Sequence, residues 1–261
     1  MRIISFLNFK GGVGKTTSTH SIGAGLSKLG KKVLLIDLDP QGTLTFFSVE
    51  GDVASTSREL LFNELPLEEC ITKCGEFDLI ASNIKLAISE LELNAHYGKE
   101  FRLKNAISKA QTDYDYILID CPAGIEQGFR NAIAAATTAV VVTTPEVSAI
   151  RDADRIIGLL EKDGMASIYL LVNKLRPDLV KKGDMMSSED VSEILGSEII
   201  GCINDDVNVV IATNRGEALV DQNTSTGKSL THIAEKLTGE KIYMDKDESS
   251  FSLLFFRNIF S

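Results

Sequence analysis

Residues 3–17 read IISFLNFKGGVGKTT, an apolar run that leads into a glycine-rich turn. The apolar beginning of this stretch predicts a β-strand, and the amphipathic residues from Thr16 to Leu29 predict a helix directly after the turn. A strand, a glycine loop and a helix N-terminus together form an anion-binding nest, because backbone N–H groups and the positive end of the helix dipole face the anion. We therefore expect this loop to bind phosphate groups.

The individual positions of the loop have predicted roles. Its glycines let the main chain approach the phosphates without a Cβ in the way. The Lys15 ammonium is expected at the β- and γ-phosphates, and the Thr16 hydroxyl is expected to ligate Mg²⁺. The expected nucleotide-binding residues of the loop are Gly11, Gly12, Val13, Gly14, Lys15, Thr16 and Thr17. The pattern G-x-x-x-x-G-K-S/T fails at one position, where Phe9 replaces its first glycine, and the alternative is a tight turn whose lysine caps a surface.

Two further apolar runs end in carboxylates, one at 32–39 and one at 115–120. Ligands of open parallel sheets bind at the carboxyl ends of the strands, so these acids should face the phosphate loop. We predict that Asp39 positions the attacking water, that Asp37 acts on the Mg²⁺ shell and that Asp120 holds Mg²⁺ through water. The alternatives are a helix cap or turn acid for the first two and an ordinary buried strand end for Asp120.

Two other features belong to the same predicted site. Residues 122–124 read PAG, which permits a loop close to the γ-phosphate that could switch when this phosphate leaves. Asn173 lies at the end of the predicted strand formed by Ile168–Lys174. Its amide both donates and accepts, and so suits an adenine edge. A strand-terminal asparagine is equally a turn former, and both interpretations stay open.

The composition is typical of a globular chain. Its 261 residues, 44% hydrophobic and 25% charged, suit a single open α/β sheet with helices on both faces. The net charge of −10 and the pI near 4.9 disfavour a broad electrostatic grip on nucleic acid. Four cysteines without a C-x-x-C pair favour a reduced, cytoplasmic protein, and the lack of a signal peptide or an 18-residue apolar run predicts no membrane span. We predict one domain at 1–240 and a tail at 241–261.

Lys10 opens the loop and is expected to point away from the nucleotide that Lys15 holds. With this lysine the loop resembles that of the MinD/ParA family of deviant Walker A ATPases, which reads x-K-G-G-x-G-K-S/T. The resemblance implies a P-loop NTPase fold, ATP and Mg²⁺ as ligands, and a homodimer formed on ATP binding. In that dimer Lys10 would reach the phosphates held by the other subunit and neutralise charge on the transferred phosphoryl group. The expected catalytic residues are therefore Lys10, Lys15 and Asp39.

Longer motifs resemble the MinD branch of this family. Residues 145–155 read PEVSAIRDADR, which is similar to P-E-x-S-x-x-R-D-x-D-R. Further matches lie at residues 123–126, 176–177, 182–191 and 214–219. The first half is mixed, because residues 39–42 (DPQG) resemble the ParA branch. In the second half, Asn204 stands where the family usually has a proline. The resemblance implies regulatory protein partners of the MinC/MinE type, and the predicted helix from Ser148 to Arg155 offers an exposed surface for them.

The last eleven residues, 251–261, read FSLLFFRNIFS. On a helical wheel most of the apolar side chains share one broad face, while Leu254 lies across the wheel beside Arg257. Such a helix is too short to span a bilayer but can lie in its interface, as the membrane-targeting helix of the MinD branch does. The expected lipid-contacting residues are Phe251, Leu254, Phe255, Phe256, Ile259 and Phe260. The alternative is a last helix that packs on the domain or binds a partner.

The leading hypothesis is a MinD-like switch ATPase that helps to place the division site. ATP would pair two chains, and two tails on one particle would move it from the cytoplasm to the inner face of the cell membrane until hydrolysis reverses both steps. The alternative is a ParA-like DNA-partition ATPase whose ATP dimer binds nucleoid DNA, which the acidic balance opposes. A third hypothesis is a scaffold that keeps the fold without hydrolysing ATP.

Overall fold

The structure, a computed structural model, describes residues 1–92, 98–110, 113–124 and 127–239. The predicted tail at 241–261 lies outside these ranges, so its lipid-contacting residues stay a prediction. None of the helices within the ranges is both long and apolar enough to cross a membrane. All four cysteines are free thiols.

Eight strands run through the described ranges: β1 (Arg2–Leu7), β2 (Val33–Asp37), β3 (Ile71–Cys74), β4 (Phe77–Ile80), β5 (Tyr116–Asp120), β6 (Thr138–Thr143), β7 (Ile168–Leu175) and β8 (Glu198–Asn204). They form one sheet in the order β3-β4-β2-β5-β1-β6-β7-β8. Neighbouring strands pair in parallel, except that β3 is antiparallel to β4. The prediction of an open, mostly parallel α/β sheet is confirmed.

The helices lie on both faces of the sheet, as predicted. They are α1 (Lys15–Lys28), α2 (Thr43–Ser48), α3 (Ser57–Phe62), α4 (Lys85–Glu92), α5 (Arg102–Lys109), α6 (Gln127–Ala135), α7 (Val147–Lys162), α8 (Pro177–Lys182), α9 (Ser188–Leu195), α10 (Val207–Arg215) and α11 (Ser225–Thr238). One core holds buried side chains of α1, α2, α10 and α11, and the other holds those of α3 to α7 and α9.

The strand sequences explain this two-faced burial. In β5, Ile117 and Ile119 belong to one core and Leu118 to the other, because successive side chains of a strand point to opposite faces. A strand that is covered on both faces is apolar at every position rather than at every second one. The parallel register also sets Phe6 of β1 and Asp37 of β2 opposite Asp120, so the carboxyl ends of three central strands meet at one edge.

The predicted element bounds differ from the observed ones by a few residues. The helix expected from Thr16 to Leu29 spans Lys15–Lys28. The sequence interpretation contained neither β3 nor β8. Strand β3 has four residues, none of them fully buried, so its apolar pattern is too short to stand out from a loop.

Candidate nucleotide-binding site

The loop between β1 and α1 has the backbone of an anion nest. Gly12 and Gly14 have φ angles of +73° and +102°, in the left-handed region that glycine adopts without a Cβ clash. Gly14 is the N-cap of α1, so no capping side chain occupies the first amides, and the first turn contains no acidic residue. These N–H groups and the positive helix end are therefore available to an anion.

Buried Asn8 holds the base of the loop. Its Nδ2 donates to the Val142 carbonyl at 2.6 Å, and its Oδ1 accepts from the Lys10 amide at 2.9 Å. These two bonds tie the start of the loop to β6. The sequence interpretation gave Asn8 no structural role, because its partner lies 134 residues further along the chain.

Asn173 lies beside the loop, as its predicted membership of the site requires. Its Nδ2 donates to the Val13 carbonyl at 2.7 Å, and its Oδ1 accepts from the Lys174 amide at 2.9 Å. The structure places Asn173 within β7, two residues before its last residue Leu175, rather than in a turn. Contact with an adenine edge stays a prediction, and both polar groups of the amide already have protein partners.

Lys15 is almost fully buried under the loop. Its Nζ donates to the Lys10 carbonyl at 3.3 Å. Burial lowers the pKa of Lys15, and the nearby negative charges of Asp120 and Asp39 oppose that shift. The predicted phosphate-binding cation and two predicted acids therefore share one site.

Asp120 has the features of a cation ligand. It is fully buried, and neither carboxylate oxygen has a hydrogen-bond partner of ordinary geometry among the described residues. Burial raises its pKa well above the usual value, Asp37 adds to the shift, and the Thr16 hydroxyl and the Lys15 ammonium oppose it. Two bare carboxylate oxygens near a hydroxyl suit Mg²⁺, which prefers oxygen ligands.

The described chain contains no cluster of three or more His, Cys, Asp or Glu residues that could hold a metal. A nucleotide-bound Mg²⁺ does not need such a cluster, because it keeps several waters and takes one or two carboxylates besides the phosphates. The residues present therefore fit Mg²⁺ held by Thr16 and Asp120 together with a nucleotide.

Asp37 is equally buried but fully engaged. Its Oδ1 accepts from the Asp39 amide at 3.0 Å, and its Oδ2 accepts from the amide and the hydroxyl of Thr45 at 3.0 and 2.8 Å. Burial raises its pKa to about 7, against the effect of these bonds. Asp37 thus holds the loop that carries Asp39, and its predicted action on the Mg²⁺ shell stays a prediction.

Asp39 is half-buried and takes part in a turn. Its Oδ1 accepts from the Gln41 amide at 2.9 Å, and its carbonyl accepts from the Gly42 amide at 2.8 Å. The turn-acid alternative is therefore observed, while the predicted positioning of water is not tested by these contacts.

Lys10 contacts the start of α7. Its Nζ lies 2.5 Å from Glu146 Oε2 and 3.1 Å from Ser148 Oγ, and a third of its side chain is exposed. The ammonium therefore points to an outer surface rather than into the nest of its own loop, as the sequence predicted.

The comparison with known proteins agrees with this geometry. The profile of a protein family described as AAA domain matches residues 1–165. Over 245 residues, 92% of this chain and 90% of the relative, the sequence is 45% identical to the putative septum site-determining protein MinD of Guillardia theta. The chain belongs to the MinD family.

Solved MinD structures share the fold. The MinC:MinD cell division protein complex of Aquifex aeolicus superposes with a TM-score of 0.81 at 37% identity, covering 93% of this chain and 97% of that chain. The septum site-determining protein MinD of Pyrococcus horikoshii, complexed with Mg-ADP, superposes with a TM-score of 0.78 at 25% identity, covering 90% and 95%. This MinD-family chain is thus a septum site-determining ATPase for placing the division site, which confirms the predicted family, fold and division-site role.

Proposed function

We propose that this MinD-family protein binds MgATP in the β1–α1 loop and hydrolyses it to ADP and phosphate. The observation that carries the proposal is the pairing of an anion nest with Asp120, a buried carboxylate that accepts no hydrogen bond of ordinary geometry from the described residues. The Mg-ADP in the Pyrococcus horikoshii relative supports the same assignment.

Each group of residues has a task in this proposal. Residues 11–17 hold the phosphates through backbone N–H groups, and Lys15 adds a cation at the β- and γ-phosphates. Thr16 and Asp120 hold Mg²⁺, which neutralises charge on the phosphate oxygens when bound. Asp39 orients the attacking water with the carboxylate oxygen that is not engaged in its turn.

Lys10 completes the site of a second copy in the ATP-bound homodimer. Its ion pair with Glu146 is exposed on both sides, and exposed pairs contribute only about 0–1 kcal/mol. Transfer of the ammonium to a phosphate of the partner subunit therefore costs little.

In this proposal, the dimer is the form that binds the membrane and the regulatory partners. Two tails on one particle bind lipid far more firmly than one, so ATP binding would move the protein from the cytoplasm to the inner face of the membrane. On α7, Arg151, Asp154 and Arg155 are exposed, and this surface would bind regulatory partners of the MinC/MinE type. The MinC:MinD complex of Aquifex aeolicus supports such a partner.

Liposome co-sedimentation tests the membrane step. The full chain and a chain ending at Ser250 are compared with ATP, with ADP and without nucleotide. We expect ATP to increase recovery of the full chain on anionic liposomes and to have no effect on the shortened chain. Equal recovery of the full chain in all three conditions would contradict the membrane switch.

Turnover and particle mass test the dimer. We expect Lys10→Ala to remain monomeric with MgATP and to lose most ATP turnover, because each site then lacks its second cation. Lys181→Ala, on an exposed residue of α8, is the matched control and should behave like the parent. A Lys10→Ala protein that dimerises and turns over ATP normally would exclude the trans-acting lysine.

A further inference from the structure

We infer that Asn173 and Lys174, at the end of β7, form a clamp that positions the phosphate-binding amides of the β1–α1 loop. The sequence interpretation contained no role for Lys174, and for Asn173 it weighed only an adenine contact and a turn. The inference rests on the proposed nucleotide binding and adds two positioning residues to it.

The clamp holds two consecutive carbonyl groups of the loop. Asn173 Nδ2 donates to the Val13 carbonyl at 2.7 Å, and Lys174 Nζ donates to the Gly12 carbonyl at 2.9 Å. Their oxygens are thereby drawn toward the end of β7.

Because the peptide unit is planar, these two hydrogen bonds also orient the N–H groups of the loop. In a trans peptide the C=O and the N–H of one unit point in opposite directions. Holding the carbonyls of Gly12 and Val13 toward β7 therefore turns the N–H groups of Val13 and Gly14 away from β7. Successive inward N–H groups are what an anion nest consists of, so the clamp fixes the orientation that phosphate binding needs.

The backbone of β7 is distorted where the clamp forms. Lys174 has a φ angle of +57°, which is uncommon for a residue with a side chain, and the pairing of β7 with β8 shifts register between Val172 and Leu175. Neighbouring side chains of a regular strand point to opposite faces, whereas here both reach the same loop. The distortion is what brings the second side chain to the loop, in keeping with bulges that re-aim side chains near active sites.

The close approach of Asn173 also constrains the loop sequence. A Cβ on Gly14 would lie 2.2 Å from Asn173 Nδ2, far inside contact distance. Position 14 therefore requires glycine for two reasons, its left-handed backbone and the amide that lies against it. Loop and clamp match each other in shape as well as in hydrogen bonding.

The decisive variant is Lys174→Asn. Asparagine adopts the left-handed backbone more readily than most residues, so this change removes the ammonium with little disturbance of the backbone at position 174. Lys174→Arg keeps a cation of similar reach, and Lys181→Asn makes the same substitution on an exposed lysine of α8. The affinities for MgADP and MgATP and the melting temperature without nucleotide are measured for each.

We expect Lys174→Asn to bind both nucleotides about tenfold more weakly, the effect of losing one hydrogen bond from a charged donor, with an unchanged melting temperature. Lys174→Arg should bind within about twofold of the parent, and Lys181→Asn should match it. Amide exchange at Val13 and Gly14 should be faster in Lys174→Asn than in the parent, which a role confined to folding stability would not produce.

The second variant is Asn173→Asp, which replaces the donor to the Val13 carbonyl by an acceptor. We expect a larger loss of affinity than for Lys174→Asn, again for ADP and ATP alike. Parent-like affinity of both variants would overturn the clamp and leave the proposed ATPase intact. Failure of the parent chain itself to bind MgATP would instead overturn the proposed function, and the clamp with it.

Discussion

Strands β2 and β5 both end in an aspartate, but the two carboxylates differ in their hydrogen bonding. Asp37 and Asp120 face each other across the two parallel strands, and both side chains are fully buried. Asp37 accepts three hydrogen bonds from the following loop and α2. Asp120 accepts none of ordinary geometry from the described residues.

This difference indicates that Asp37 stabilises the local structure, whereas Asp120 is available to a ligand. The bonds of Asp37 fix the path of residues 39–45 and so place Asp39 beside the phosphate loop. A buried carboxylate without partners costs folding free energy, and such sites are typical of functional positions. Four substitutions, one of them measured in two ways, are described from the largest expected effect to the smallest.

The largest effect is expected on turnover. Asp120→Asn should lower Mg²⁺-dependent ATP hydrolysis by about 10²–10³-fold, because it removes the charge that holds the cation. Asp113→Asn makes the same change on an exposed acid near the other end of β5 and should leave the rate unchanged. A steady-state phosphate-release assay distinguishes them, and equal rates for both variants would end the assignment of Asp120.

Asp37→Asn should change how stability depends on pH. In the folded chain the pKa of Asp37 is raised from 3.8 to about 7, so between these values the folded state binds a proton that the unfolded state does not. Its contribution therefore lowers the free energy of unfolding as pH rises through this window, by up to about 4 kcal/mol. Urea unfolding without Mg²⁺ or nucleotide should show a flatter profile for Asp37→Asn, and an unchanged profile would contradict the raised pKa.

His20→Leu should change the same profile in the opposite direction. Burial lowers the pKa of His20 from 6.5 to about 4, where its ring packs against Phe47 and Phe77. Between these values only the unfolded chain binds the proton, so acidification destabilises the fold by up to about 3 kcal/mol. Without the imidazole, less stability should be lost between pH 6.5 and pH 4. The same urea series, with the partly exposed His232→Leu as control, measures this.

Asp120→Asn should also stabilise the protein in the absence of ligand. Burial disfavours the ionised carboxylate, so its removal should raise the free energy of unfolding at pH 8 by about 1–3 kcal/mol. Asp120→Asn is thus expected to lose activity and gain stability, a combination that we do not expect for Asp37→Asn. A lower melting temperature for Asp120→Asn in EDTA would show that Asp120 stabilises the fold after all.

The smallest effect concerns one bond at Asp37. The Thr45 hydroxyl donates to Asp37 at 2.8 Å and accepts from the Ser82 amide at 2.8 Å. Thr45→Val removes both bonds with little change of shape and should cost about 1–2 kcal/mol in unfolding experiments. Thr45→Ser keeps the hydroxyl, so it should retain most of that stability. Equal losses for valine and serine would mean that the methyl group, rather than the hydroxyl, matters here.

Sequence reasoning predicted the parts of the site that depend on neighbouring residues. The glycine loop, the helix after it and the apolar strands that end at Asp37 and Asp120 are local patterns with strong spacing. The short strand β3 was missed because its pairing with β4, rather than its own pattern, makes it a strand.

The contacts between distant segments could not be predicted in this way. Asn173 meets Val13 across 160 positions of the chain, and Lys174 meets Gly12 across 162. Nothing in the residues around 173 indicates which carbonyl their side chains reach. The same holds for the bond from Asn8 to β6.

The amino-acid sequence by itself determined the family, the parallel α/β architecture and the chemical inventory of the site: a glycine nest, two lysines and three strand-end acids. Only the tertiary structure decided which acid is satisfied and which is bare, and that the end of β7 grips the loop. The physical reason is the distance along the chain between the residues that interact. Strands, turns and helices follow from spacing over a few residues, whereas hydrogen-bond partners and burial depend on where the whole sheet brings distant segments together.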